Sequence, residues 1–133
     1  MNTSAVWQAE LPAANGITNA ASLARMYAAT VSDVDGVRLL SDKTVEAATV
    51  RQTEGPDAVL VFELPFASGF MLDGPMVKLG GPGAFGHYGA GGSLGCADAD
   101  HGIAFAYVMN KMELGIAGDP RSARLIDAVY RAL

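Results

Sequence analysis

Residues 84–110, AFGHYGAGGSLGCADADHGIAFAYVMN, decide how the second half of the chain folds. Two apolar runs, 84–97 and 103–110, lie on either side of the polar segment 98–102, which ends in glycine. Apolar runs separated by a short segment rich in Asp and Gly are typical of an antiparallel hairpin. We therefore expect a strand over 84–97, a strand over 103–110 and a turn between them.

Two helices are predicted in the first third of the chain. Thr18 or Asn19 is placed to cap a helix that runs to about residue 31, and Ser41 a second one that runs to about residue 51. Asp35 and Gly36 indicate a turn between the helices. Helical spacing predicts these inward-facing residues: Leu23, Met26, Tyr27 and Thr30 in the first helix, and Val45, Ala48 and Thr49 in the second.

The middle and the end of the chain complete the predicted fold. Strand-like runs lie at 59–62 and 66–72, and the turn residues 73–75 follow them. Asp119 and Pro120 open a final helix, whose predicted apolar face consists of Leu125, Ile126, Val129 and Leu133. The order predicts an α+β fold, an antiparallel sheet with flanking helices. We expect a single domain over 1–133, mainly helical in 1–57, with the sheet and the last helix in 58–133.

Composition excludes several classes of partner. The chain has 133 residues, half of them hydrophobic, and a formal net charge of −5. Nucleic-acid binders concentrate Lys and Arg on one face, and this chain has no basic cluster, so we expect no nucleic-acid partner. Residues 1–10 lack a basic and then apolar pattern, and the apolar runs are far shorter than the roughly 20 residues that span a bilayer. We therefore expect neither a secretory leader nor a membrane partner.

Ser93 lies in a G-x-S-x-G pattern, GGSLG, which raises the question of a catalytic nucleophile. A nucleophile elbow needs a strand, a sharp turn and then a helix behind the serine. Here Ser93 precedes a further strand, and the only later histidine, His101, lies in the adjacent hairpin turn. We interpret Ser93 as a small residue on a glycine-rich strand that something approaches closely. A small hydrolase that uses Ser93 with His87 or His101 remains the weaker alternative.

Metal and nucleotide sites are not predicted. The histidines and the cysteine lack zinc-ligand spacing, and Asp98 and Asp100 resemble the start of a calcium loop without its later glutamate. The glycine-rich segments 80–83 and 89–92 carry no P-loop lysine and open no helix. We expect no cofactor and no metal. The surroundings of Cys96 favour a buried structural thiol.

The segment 86–112, together with ELPAANGITNAASLARMYAA (10–29) and DGVRLLSDKTVEAA (35–48), resembles the C-terminal part of the beta-lactamase-related serine hydrolases. This family includes class C beta-lactamases, penicillin-binding carboxypeptidases and carboxylesterases. The resemblance extends over about residues 10–133. It implies a partial beta-lactamase/transpeptidase-like fold, in which an S-x-x-K serine forms an acyl-enzyme and a Y-x-N tyrosine assists proton transfer.

A third family motif, K-T-G or H-x-G on the edge strand of the sheet, lines the substrate pocket. His87-Tyr88-Gly89 matches H-x-G residue by residue. The resemblance implies substrate binding by His87, Tyr88, Gly89 and Ala90, with the His87 ring as a hydrogen-bond or charge partner. It makes the main-chain N–H of Ala90 an oxyanion-hole donor, and glycines on an edge strand would let a substrate approach the backbone. An ester or peptide is the substrate implied for the parent enzyme.

The other two catalytic motifs are absent. Three places before Lys43, Lys78 and Lys111 stand Leu40, Pro75 and Val108 instead of serine, and no Y-x-N occurs. We therefore expect the C-terminal fragment of a longer hydrolase, inactive by itself. The alternative is a stand-alone binding protein. If the family's N-terminal strands are absent, a sheet edge is exposed, and we expect a homo-oligomer formed through that edge.

Overall fold

The computed structural model describes residues 3–14 and 16–133. Three helices come first: α1 (Ser4–Gln8), α2 (Ala20–Val31) and α3 (Asp42–Ala48). Four strands follow, β1 (Met71–Leu72), β2 (Ala84–Tyr88), β3 (Leu94–Asp98) and β4 (Ile103–Tyr107), and then α4 (Pro120–Tyr130). The strands form one antiparallel sheet in the order β1-β2-β3-β4, with helices packed against it. This α+β architecture confirms the predicted fold class.

The caps explain why the longer helices begin where they do. The Asn19 side chain accepts a hydrogen bond from the Ser22 N–H at 2.8 Å, and Ser41 accepts one from Thr44. Asp119 caps α4, and Pro120 occupies its first turn. Each side chain satisfies an N–H group that has no partner within its helix. The predicted helix starts are therefore confirmed, although α3 ends earlier than expected, at Ala48.

Each face of the sheet carries its own core cluster, because side chains alternate along a strand. On one face Ala84, Tyr88, Leu94 and Cys96 pack with Ile126 of α4. On the other face Phe85 and Ala97 pack with Tyr27 of α2 and Val45 of α3. The sheet therefore has a helix layer on both sides.

Helix α2 lies against β3 and β4 at a position where only glycine fits. A Cβ atom at Gly95 would come within 2.4 Å of the Tyr27 ring. Three predicted inward residues are nevertheless exposed, Met26, Leu125 and Leu133. Helical spacing gives the face of a helix but not the width of the stripe that its neighbour covers, so the edges of both stripes were predicted wrongly.

The strand predicted at 59–62 is wrong. The Asp57 carboxylate accepts hydrogen bonds from the N–H groups of Val59 and Leu60, both at 2.8 Å, and the Asp57 N–H donates to the Phe62 carbonyl. This side chain bonds the local backbone in a turn, in competition with strand pairing. Val61 takes a positive φ of 65° in that turn. Of the predicted strand 66–72, only β1 forms, with an isolated bridge from Phe66 to Met71.

The long strand predicted over 84–97 is also wrong, because it is divided into β2 and β3 by a turn at residues 89–93. Gly91 and Gly92 adopt positive φ values of 89° and 112°, which most residues avoid. The predicted hairpin between β3 and β4 is present, although β4 ends at Tyr107. Gly91 and Gly92, which the sequence analysis assigned to a strand, instead lie in the turn that reverses the chain between β2 and β3.

Candidate active site

The H-x-G segment lies where β2 extends past β1. Strand β1 pairs with Phe85 and Gly86 only, so within the described chain His87 and Tyr88 lie beyond its last paired position. On the other side, His87 is paired with Gly95 and Tyr88 with Leu94 of β3. The end of β2 therefore forms a locally exposed edge, although β2 as a whole is an inner strand.

His87 lies on the exposed side of this edge. Its Nδ1 atom is 2.5 Å from the carbonyl oxygen of Tyr88. A carbonyl only accepts, so Nδ1 is the donor in this contact. The Phe66 ring lies 5.9 Å from the imidazole, tilted by 52°. These two contacts hold the ring at the edge of the sheet.

The Tyr88 side chain points to the opposite face. It is buried in the core under α4, and its hydroxyl donates to the Lys78 carbonyl at 2.8 Å. Burial raises the pKa of this hydroxyl, which therefore stays protonated at neutral pH. Tyr88 anchors the strand, and any contact with a substrate at this position involves its main chain.

The turn after Tyr88 fixes the direction of the Ala90 N–H. Gly92 N–H donates to the Gly89 carbonyl at 3.1 Å, and Gly91 has positive φ, which together define a type II turn with Ala90 at its second position. In a trans peptide the N–H points away from the preceding carbonyl. Because the Gly89 carbonyl points into the turn, the Ala90 N–H points out of it, and it has no hydrogen-bond partner among the described residues.

A cleft of about 410 Å³ opens beside this turn. The lining comes from the N-terminal segment, from the turn and from the segment after β4; the described lining residues are Pro12, Ala13, Ala14, Gly16, Gly89, Ala90, Ser93 and Met112. The cleft is therefore lined by Gly89 and Ser93, the two ends of the turn that follows Tyr88. Ala90, whose N–H points out of the turn, is one of the residues that line it.

Ser93 lies in this cleft without a base. A Cβ atom at Gly89 would be 2.3 Å from Ser93 Oγ, so the hydroxyl lies directly over the Gly89 backbone. Within the described chain neither histidine bonds to it, because His87 contacts Tyr88 and His101 contacts Asp98. The structure thus brings Ser93 near Ala90, and among the described residues its hydroxyl has no hydrogen-bonded base that could activate it.

His101 belongs to a separate cluster at the other end of the sheet. The buried Asp98 carboxylate accepts hydrogen bonds from His101 Nδ1 at 2.8 Å, from the Asp100 N–H and from the Tyr130 hydroxyl. Burial raises the pKa of Asp98, but the hydrogen bonds from Tyr130 and His101 outweigh it and hold that pKa below its usual value. The cluster joins the β3–β4 turn to α4. Across residues 3–14 and 16–133, no group of three or more metal-ligating side chains is suitably arranged.

Cys96 is buried, and burial raises the pKa of its thiol to about 12. The protonated thiol is a poor nucleophile, and the predicted burial of Cys96 is confirmed. Sequence reasoning missed Arg121, whose guanidinium bonds to Asp119 and to the carbonyl of Gly91 in the turn. Only the neighbouring Asp-Pro-Arg sequence hinted at it, and that pattern reads simply as a helix start. Among the described residues no helix has both the length and the apolarity needed to cross a membrane.

Comparison with known proteins defines the class. The family model described as beta-lactamase matches residues 2–129. The esterase/beta-lactamase LipL of Mycobacterium tuberculosis is 42% identical over 107 residues, which are 78% of this chain and 24% of LipL. A crystal structure of a family VIII carboxylesterase has a TM-score of 0.90 at 38% identity, over 99% of this chain and 36% of that one.

A penicillin-binding protein homologue from Caulobacter crescentus is also similar, with a TM-score of 0.79 at 42% identity, over 86% of this chain and 32% of that one. The chain belongs to the beta-lactamase family, as the sequence resemblance implied. It spans about a quarter to a third of the length of these relatives.

Proposed function

We propose that this chain is the C-terminal portion of a serine hydrolase of the esterase or beta-lactamase type, and that it contributes the H-x-G wall of the substrate pocket. The observation that carries the proposal is the outward-pointing Ala90 N–H beside a cleft, one residue after His87-Tyr88-Gly89. Three relatives are described as an esterase/beta-lactamase, a carboxylesterase and a penicillin-binding protein homologue. An ester or peptide carbonyl is therefore the proposed reacting group.

In this mechanism a serine outside the chain attacks the carbonyl carbon, and negative charge develops on the carbonyl oxygen. The Ala90 N–H donates to that oxygen, and a fixed donor needs no reorganisation as the charge forms. The His87 ring, with Nδ1–H held by the Tyr88 carbonyl, presents Nε2 to a polar group of the substrate. The chain alone is inactive in this proposal, because S-x-x-K and Y-x-N are absent from its sequence and, within the described part of the chain, neither histidine bonds to Ser93.

Labelling tests the inactivity of the chain. The purified chain and its Ser93→Ala variant are incubated with a fluorophosphonate probe, and the intact mass is measured. We expect no adduct on either protein. An adduct that disappears with Ser93→Ala would instead make Ser93 a working nucleophile and would overturn the proposed division of labour.

A chimera tests the contribution to the pocket. In the family VIII carboxylesterase, the segment that matches this chain is replaced by this chain. The exchange is feasible because the structural match covers 99% of this chain. We expect the chimera to hydrolyse a short-chain aryl ester and His87→Ala to lower kcat/KM. His101→Ala is the matched control, because His101 lies at the other end of the sheet beside Asp98. Equal activity of a folded His87→Ala chimera and its parent would contradict the role of His87.

A second candidate function is a self-associating interaction protein. Strand β4 is the outermost strand on its side of the sheet. Apolar side chains of the turn 57–62 are strongly exposed, with 85% of Val59 and 75% of Val61 accessible. A contiguous exposed apolar segment and a strand edge that no described strand pairs with both favour association between copies.

A further inference from the structure

Arg121, in the first turn of α4, is held rigidly by one carboxylate. Its Nε lies 3.0 Å from Asp119 Oδ1, and its Nη2 lies 2.6 Å from Asp119 Oδ2, so the pair is bidentate. The Asp119 side chain is only 5% exposed, and its Oδ1 also accepts from the Arg121 N–H. A planar guanidinium bonded along one edge in this way presents its remaining N–H groups in fixed directions.

The remaining N–H groups reach two loops. Nη1 donates to the Lys111 carbonyl at 2.8 Å, and Nη2 donates to the Gly91 carbonyl at 3.0 Å. The guanidinium carbon lies 5.8 Å from the centre of the Tyr107 ring. Arg121 therefore joins the start of α4 to the segment after β4 and to the turn between β2 and β3.

The turn is enclosed on this side. The Gly91 carbonyl also accepts from the Glu113 N–H at 3.1 Å, and the Gly91 N–H donates to the Gly115 carbonyl at 3.0 Å. A Cβ atom at Gly92 would lie 2.0 Å from Asp119 Oδ2, so this backbone rests against the carboxylate. Both main-chain polar groups of Gly91 are therefore hydrogen-bonded, by the start of α4 and by the segment that precedes it.

This contact is transmitted to Ala90 through one peptide group. Gly92, resting on Asp119, donates its N–H to the Gly89 carbonyl, and that carbonyl belongs to the same planar peptide as the Ala90 N–H. Gly91 and Gly92 are therefore linked to the Gly89–Ala90 peptide by the chain itself and by this hydrogen bond.

We propose that Arg121, clamped by Asp119, is a positioning residue that fixes the direction of the Ala90 N–H toward the cleft. The inference rests on the proposed function in one respect, namely that this N–H is the oxyanion donor. Arg121 acts through Gly91 and does not itself touch a substrate.

Backbone dynamics test this proposal in the chain as it is. The ¹⁵N order parameters of the labelled 133-residue chain are measured for the parent and for Arg121→Gln. We expect the values for Ala90 and Gly91 to fall from about 0.85 to below about 0.6, while those of β4 remain rigid. Arg124→Gln is the matched control, because Arg124 lies on the exposed side of the same helix. Its turn is expected to remain rigid.

The possible outcomes separate positioning from simple support of the helix. If Arg121→Gln lowers the melting temperature but leaves the Ala90 amide rigid, Arg121 only anchors α4 and the proposal is overturned. If Arg121→Gln does not fold, Arg121→Lys is decisive, because lysine keeps the charge but not the fork. A folded Lys variant with a rigid turn overturns the proposal, and a mobile turn supports it. The order parameters are measured without catalysis, so they test the positioning of the Ala90 N–H by Arg121 separately from the proposed hydrolase function.

Discussion

At the scale of single residues, the proposed oxyanion donor is a main-chain group, the N–H of Ala90, so truncating a side chain does not remove it. The type II turn directs the Ala90 N–H outward, and the methyl group of Ala90 does not determine that direction. Ala90 occupies the second position of the turn, where proline is readily accommodated. Proline therefore offers a way of deleting the N–H while the turn is kept.

We expect Ala90→Pro to lower kcat/KM of the carboxylesterase chimera by about 100- to 1000-fold, the usual loss when one oxyanion donor is removed. Steady-state kinetics on an aryl ester measure the effect. Ala90→Ser keeps the N–H and serves as the matched control, with activity near that of the parent chimera. Normal turnover by a folded Ala90→Pro chimera would show that the oxyanion is stabilised elsewhere.

At position 95 the packing of α2 depends on a missing side chain. We expect Gly95→Ala to destabilise the fold by about 1–3 kcal/mol, because the new methyl group would lie 2.4 Å from the Tyr27 ring and force the helix outward. Urea denaturation measures the change in the free energy of unfolding. Gly16→Ala is the control, since no atom lies within 4 Å of the position that its new methyl group would take. Similar midpoints for both variants would contradict this account of how α2 packs.

At the scale of elements, the start of α4 contributes stability that depends on pH. The hydrogen bonds from Arg121 lower the pKa of Asp119 to about 2, from an ordinary 3.8. A carboxylate with a depressed pKa stabilises the folded state fully above its unfolded pKa and loses that contribution as pH falls through its folded pKa. The contribution of Asp119 is therefore complete above about pH 4 and declines toward pH 2.

We expect Asp119→Asn to be less stable than the parent at neutral pH, with the difference narrowing as the pH is lowered from about 4 to about 2. Urea midpoints measured across this range give the difference directly. Comparison at each pH cancels the acid sensitivity that Asp98, whose pKa is also lowered, gives to both proteins. A gap that stays constant down to about pH 2 would mean that the Asp119 charge has no part in stability.

The elements also show how far sequence reasoning reaches. Helix starts were predictable because Asn19, Ser41 and Asp119 carry the local hydrogen bonds that define them. The apolar segment 59–62 was mispredicted because a single carboxylate, that of Asp57, forms a turn with it. Local apolarity gives no measure of that competition.

The candidate site was predictable as a segment but not as a geometry. His87-Tyr88-Gly89 was recognisable from its pattern, while the alternation that sends Tyr88 into the core depends on where β2 begins. The link from Arg121 to Gly91 joins positions thirty residues apart and leaves no periodic signal in the sequence. Contacts of this kind arise only when the sheet brings α4 beside the turn.

At the scale of the whole molecule, the exposed surfaces predict association. We expect the purified chain to be at least dimeric at micromolar concentration. Association would remove the exposed side chains of Val59 and Val61 from water and would pair the outer edge of β4, which no described strand pairs with. Light scattering coupled to size exclusion measures the mass. Replacing both valines with Lys should shift the distribution toward the monomer. A strictly monomeric parent chain would remove the support for a self-associating protein.

The burial of Cys96 makes its thiol a probe for transient opening of the core. Its only thiol is enclosed in the core and protonated, so an alkylating reagent has neither access nor a thiolate to attack. When the core around Cys96 opens, the thiol becomes accessible and its pKa returns toward the ordinary value, so each opened molecule is alkylated once. The rate of mass increase in native buffer therefore reports how readily the core around Cys96 opens.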